Sequence, residues 1–191
     1  MSSRDLETTS SMCGRVGCIV GVDGDFHTDG APVGGVISDG RMMRSPNPAR
    51  PQLTVTRDGH LTAGPLPWSA TVVLGDGTRI PVSTVNATPG GDSLGLYTPA
   101  YGGSRTDPSA RTELLVKAAD PGTLNRPTSL ELRGIRAGGG AIPADGAVLS
   151  GDGKAGQLLQ ALWARVQQKT LPARAELRLE SPVDASVSIG A

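Results

Sequence analysis

Seven Asp–Gly dipeptides punctuate this chain, at residues 23–24, 29–30, 39–40, 58–59, 76–77, 145–146 and 152–153. No other feature restricts the fold as strongly. Asp-Gly between two apolar runs is the strongest short-range hairpin signal, because both central residues of the favoured turn need positive φ. Glycine enters that region freely, and aspartate tolerates it better than most residues. A chain turned back so often builds sheets from short antiparallel strands. Composition agrees: Gly 27 and Pro 15 make about a fifth of the 191 residues. The expected class is α+β, a β-rich fold of mostly antiparallel hairpins with one or two short helices.

The length suits a single domain. Hydrophobic residues are 37% and aromatics 3%, so the core must be built from Val, Leu, Ile and Ala. Lys+Arg 18 balance Asp+Glu 18, and the charges are spread along the chain. No nucleic-acid partner is expected, since phosphate binding needs a concentrated basic face. No transmembrane segment is expected either, because no run approaches the roughly 18 apolar residues of a membrane span. Met1 to Ser11 is polar and lacks the apolar centre of a signal peptide. The chain therefore reads as cytoplasmic or as lacking an upstream segment. Cys13 and Cys18 do not have zinc-knuckle spacing. Two small buried thiols and a short disulfide both fit, and the disulfide would imply an oxidising compartment.

In chain order, residues 5–13 read as a short helix closing at Gly14 or Gly17. A buried strand follows over about 18–23, and another over 33–37. Residues 52–56 return through Leu61 and Ala63 about Asp58-Gly59; residues 71–74 return through Ile80, Val82 and Val85 about Asp76-Gly77. Further strands are expected at 93–98, 112–118, 129–135 and 174–180. Gly138-Gly139-Gly140 reads as a flexible break. Residues 155–166 form the one clear helix, with Leu158, Leu159, Leu162 and Val166 on its core face and Trp163 beside them. No element is assigned to 181–191.

The stretch Cys18-Ile19-Val20-Gly21-Val22-Asp23-Gly24-Asp25-Phe26-His27 is the best candidate for chemistry. A buried strand delivers Asp23 and Asp25 to a tight turn, two residues apart and so on one side of an extended segment. Paired carboxylates can divide acid and base roles. They can also hold a divalent cation through oxygen ligands, though the spacing with Asp29 fails the calcium-loop template. The competing reading is that these aspartates only cap turns. His27 follows directly, and an unperturbed imidazole changes charge near neutral pH. Arg44 and Arg105 lie in Pro/Gly-bearing loops, where a guanidinium can fork a phosphate or simply stay solvated. No cofactor signature is evident.

Three stretches together resemble the phosphodiester glycosidase family, the N-acetylglucosamine-1-phosphodiester α-N-acetylglucosaminidase-like domains. They are Gly21-Val22-Asp23-Gly24-Asp25-Phe26 with Gly30 to Gly40; Val85-Asn86 with Leu94-Gly95-Leu96-Tyr97-Thr98-Pro99-Ala100-Tyr101-Gly102; and Ile142-Pro143-Ala144-Asp145-Gly146-Ala147-Val148-Leu149-Ser150. The family usually has asparagine in place of Asp23 and an aromatic in place of His27. Its later Asp-Gly-Gly-Gly-Ser motif has no match here. The resemblance implies the N-terminal part of a single, incomplete domain. It implies hydrolysis of a sugar from a sugar-phosphate diester and a secreted or cell-surface location. Asp25 and Asp23 would be catalytic, and Arg44, Arg105, Asn86 and Thr98 would bind substrate. The alternative is a non-catalytic β-rich module binding glycans or cell wall, which the low aromatic count disfavours.

Overall fold

The computed structural model describes residues 8–18, 27–28, 31–101, 105–106 and 111–190. The expected opening strand at 18–23 lies almost wholly outside them. The protein is β-rich, with two α-helices among the described residues.

The strands form three sheets. A two-stranded hairpin joins β1 (His27–Thr28) and β2 (Ala31–Pro32). A smaller sheet comprises β3 (Val36–Ser38), β4 (Arg41–Arg44), β5 (Gln52–Thr56), β6 (Leu61–Gly64) and β15 (Ala185–Gly190), in the order β4-β3-β15-β5-β6. The larger sheet comprises β7 (Ser69–Leu74), β8 (Arg79–Pro81), β9 (Thr84–Val85), β10 (Leu94–Tyr97), β11 (Thr112–Lys117), β12 (Thr128–Ala137), β13 (Gly146–Gly151) and β14 (Arg174–Glu180). Its order is β8-β7-β14-β12-β11-β13-β10-β9. Every pairing is antiparallel except β9 with β10, which is parallel. Val85 is therefore not the return arm of the Asp76-Gly77 hairpin. It leaves that hairpin to flank β10.

Helix α2 (Gly153–Gln167) begins at Asp152, whose Oδ1 accepts from the Gly153 amide at 2.7 Å. Capping satisfies an amide that the helix itself leaves free. The helix packs across β11 and β13, where Gly151 leaves no room for a side chain: a Cβ there would lie 2.7 Å from Ala155 Cβ. Beneath it Leu96, Leu149 and Leu114 align across β10, β13 and β11, all buried. Each contributes about 2 kcal/mol by leaving water. Leu159 and Leu162 face this layer, but Leu158 is 41% exposed, so the apolar stripe is narrower than its spacing suggests. Helix α1 (Thr9–Val16) runs past Gly14 to end at Gly17, which takes the left-handed conformation (φ 69°). A disulfide joins Cys13 and Cys18 across that end.

In the smaller sheet, β5 and β15 invert the usual pattern, while Ile37 and Met42 on β3 and β4 face the core. Its inner face buries Gln52, Thr54 and Ser188, while Leu53 (45%), Val55 (36%), Leu61 (65%) and Val187 (38%) are exposed. The buried hydroxyls are matched: Thr54 Oγ1 and Ser188 Oγ share a 2.8 Å bond, and Ser188 Oγ donates to Gln52 Oε1 at 3.4 Å. Backbone bonds tie the two larger sheets together, from Met42 N to Gly122 O, Leu124 N to Gly40 O and Ser45 N to Val85 O. One apolar cluster runs through both, from Ile37 and Met42 to Leu177 and Leu179.

Candidate functional site

The join between β4 and β9–β10 places three of the residues singled out by sequence in one cluster. Ser45 Oγ accepts from the Val85 amide at 3.1 Å, which brings the chain after β4 against β9. The next residue, Asn86, is buried and left-handed (φ 51°). Asparagine tolerates that conformation better than other residues with a side chain. Its carboxamide is fully engaged. Nδ2 donates to Met43 O at 2.8 Å and to Thr98 Oγ1 at 2.9 Å, and Oδ1 accepts from the Thr98 amide at 2.7 Å. Arg44 Nη1 donates to Asn86 O at 3.3 Å.

Asn86 and Thr98 therefore shape the wall of the site rather than offering free groups to a ligand. Arg44 differs. Its other guanidinium N–H groups make no hydrogen bond among the described residues, so four donors remain to meet an anion. Beside this cluster lies a cavity of about 200 Å³, whose lining includes Arg41, Met43, Thr98, Asp120, Ala144 and Gly146. Arg41 Nη2 meets Asp120 Oδ2 at 2.9 Å, and Thr123 Oγ1 donates to the same oxygen at 2.6 Å. Gly146 is held without a side chain by close approach: a Cβ there would fall 1.9 Å from Val116 O.

Arg105 lies elsewhere. It is exposed, and its backbone bridges Ala141. No described contact joins it to Arg44, Asn86 or Thr98. Its neighbour Thr106 belongs to a second polar cluster that sequence reading missed. Thr106 Oγ1 donates to Glu113 Oε1, and Arg136 Nε donates to Glu113 Oε2 at 2.7 Å. Glu113 is fully buried on β11, opposite Arg136 on β12 and Ser150 on β13. A glutamate in Thr-Glu-Leu-Leu-Val-Lys reads as a solvent-facing residue, and only the neighbouring strands reveal otherwise. Gly140 lies directly on the Arg136 guanidinium, since a Cβ would sit 2.2 Å from Cζ. The triple glycine thus closes over a half-buried arginine paired with a buried glutamate, a constraint that its composition does not announce.

Asp23 and Asp25 lie outside the described residues. The segment that follows them enters the structure through β1 and β2, and then β3, where Val36 pairs with Arg44. Only the backbone of His27 is described, paired with Pro32. Among the described residues no group of three His, Cys, Asp or Glu gathers closely enough to hold a metal ion. No helix among them is long and apolar enough to cross a membrane.

No protein-family model matches the chain, and no curated protein matches it by sequence. Solved structures do. A hypothetical protein from Synechocystis aligns over 88% of the chain with TM-score 0.61 and 20% identity. A protein from Burkholderia pseudomallei, described as "Putative exported protein", aligns over 97% with TM-score 0.63 and 23% identity. At these identities the likeness shows a shared fold. The chain spans 30% and 43% of the lengths of these two proteins.

Proposed function

We propose that this chain is the N-terminal part of a phosphodiester glycosidase-like hydrolase that releases a sugar from a sugar-phosphate diester outside the cytoplasm. One observation carries the reading. Two of the three stretches that resemble the family are far apart in sequence, yet both line one cavity: Thr98 and Ala100 come from the second and Ala144 and Gly146 from the third, and Arg41 to Met43, just after the first stretch, line it too. Arg44 follows Met43, a residue of that lining, and keeps most of its guanidinium unbonded among the described residues beyond its bond to Asn86 O.

In this reading water adds across the bond between the anomeric carbon and the phosphate oxygen. The C–O bond breaks, the hydroxyl goes to the sugar and the proton to a phosphate monoester. A phosphate leaves with little need of a general acid, so neutralising its charge matters most. Arg44 supplies that charge, while Arg105 lies apart from this cluster, bridged to Ala141, and is given no role in it. Asp25 acts as the carboxylate at the anomeric carbon, with Asp23 as its neighbour. Asn86 and Thr98 hold the wall on which Arg44 rests. The Cys13–Cys18 disulfide and the description of the Burkholderia neighbour both favour an oxidising, exported setting.

The test is hydrolysis of the methyl phosphodiester of N-acetylglucosamine 1-phosphate by the whole protein that contains this chain, read as free sugar. Turnover is expected, with a loss of about a hundredfold or more in Asp25→Asn and about tenfold or more in Arg44→Ala. A folded protein with no turnover, or an Asp25→Asn variant with full activity, refutes the assignment. Binding of the diester without turnover favours the alternative of a non-catalytic glycan-binding module.

A further inference from the structure

A second cavity, of about 610 Å³, opens where β7 begins and β14 ends. Its lining comes from three separate segments: Pro67 and Trp68 ahead of β7, Asn125 to Pro127 ahead of β12, and the stretch from Arg178 to Pro182. These walls are cross-braced. The Asn125 amide donates to Leu179 O at 2.7 Å, and Asn125 Oδ1 accepts from the Ser181 amide at 2.8 Å. Ser181 Oγ donates to Pro67 O at 2.8 Å. Asn125 is left-handed (φ 56°), a conformation held by these bonds. A cavity braced in this way needs little ordering when a ligand enters. Its volume falls in the usual range for small-molecule sites.

The lining has a definite chemistry. Trp68 packs against the core and its Nε1 donates to Pro46 O at 3.3 Å, so the indole is fixed in place with its polar edge already used. Arg126 is exposed, and Arg178 keeps its terminal nitrogens beyond a 2.6 Å bond from Nε to Glu176 Oε1. Asn125 Nδ2 has no partner among the described residues. Donors therefore predominate, and Glu180 is the one carboxylate in the lining. An indole offers a face on which the apolar side of a pyranose can stack. Guanidinium groups beside it suit a phosphate or carboxylate on that sugar. The scarcity of acceptors argues against a nucleobase, whose exocyclic amines need them.

We infer that this groove is a binding site for an anionic saccharide, separate from the candidate catalytic cavity. The inference does not rest on the hydrolase reading. The chain has two tryptophans, so Trp163→Phe leaves Trp68 as the sole indole reporter. Fluorescence titration of that variant with glucose 1-phosphate and with glucuronic acid should give saturable changes. Glucose, inorganic phosphate and AMP should bind at least tenfold more weakly. Adding Arg126→Glu should weaken the response at least tenfold, while Arg126→Lys retains most of it. Arg126 is exposed, so circular dichroism and melting of these variants should match the parent. Absence of saturation with both acids overturns the inference. So does equal binding of glucose or AMP, or an Arg126→Glu variant that binds as well as its parent.

Discussion

Asn86 and Thr98 are bonded twice, the Asn86 carboxamide donating to the Thr98 hydroxyl at 2.9 Å and accepting from the Thr98 amide at 2.7 Å. The second donor of the same carboxamide holds Met43 O on β4. One buried side chain thus ties the smaller sheet to the strand that enters the candidate site. Asn86→Asp keeps the left-handed backbone and the acceptor for Thr98, but loses both donors and sets a carboxylate against Met43 O. We expect a loss of about 2–3 kcal/mol in denaturant unfolding. A cost below about 0.5 kcal/mol would show that the clamp contributes little.

Glu113 and Arg136 allow a test of coupling. Arg136→Ala leaves a fully buried carboxylate with only a hydroxyl for company, and should cost about 3 kcal/mol. Gly140→Ala should also destabilise, because the new methyl occupies the place of the guanidinium. In the Arg136→Ala background that second cost should nearly vanish, a departure from additivity that a double-mutant cycle measures. Additive costs would mean that Gly140 is required for its backbone alone.

Asp76, in the β7–β8 turn, accepts from Arg165 Nη2 of α2 at 2.7 Å and from the Thr78 amide at 3.0 Å. The Arg165 bond, then the Thr78 bonds, hold its carboxyl at about 2 against the ordinary 3.8. A depressed carboxyl adds stability above its unfolded value and loses it as pH falls through the folded one. The gap in melting temperature between the native protein and Asp76→Asn should be full above about pH 5, narrow between about pH 4 and 2, and close below that. A gap that stays constant from pH 6 to 2 would contradict this origin.

Gln52 is buried in the smaller sheet with its Nε2 unpaired among the described residues. Gln52→Met removes that amide at similar volume, and Ser188 keeps its bond to Thr54. Because an unsatisfied buried donor is costly, we expect a gain of about 1 kcal/mol in chemical denaturation. Destabilisation by a similar amount would show that the amide has a role that the packing does not reveal.

The Asp–Gly pairs show how far local sequence reaches. Asp39-Gly40, Asp58-Gly59 and Asp76-Gly77 turn the hairpins β3–β4, β5–β6 and β7–β8. Only the first has both residues at positive φ (52° and 71°); in the other two the glycine alone does. Asp145-Gly146 instead opens β13, and Asp152 caps α2. The dipeptide permits a sharp change of direction, and the partners on either side choose which one. Residues 185–190 show the converse. Ala-Ser-Val-Ser-Ile-Gly carries no turn signal and little apolar weight, yet it becomes the middle strand of the smaller sheet, between β3 and β5. Its alternation fits a strand, but its partners lie about 130 and 150 residues earlier.

The sequence alone determined what is local: many reversals, short strands, an amphipathic helix over most of α2, and a core without many rings. It also marked Asn86 and Thr98 through short stretches of family-like sequence, and Arg44 as a guanidinium beside a Pro-rich loop. Only the tertiary structure decided that these three meet while Arg105 stands apart. It also decided that Glu113 is buried beneath a guanidinium and that β5 and β15 of the smaller sheet hide their polar face. The physical reason is that backbone turns are set by neighbours in sequence. Burial and ion pairing depend on strands that approach from far along the chain, and register alone decides which face of each strand they cover.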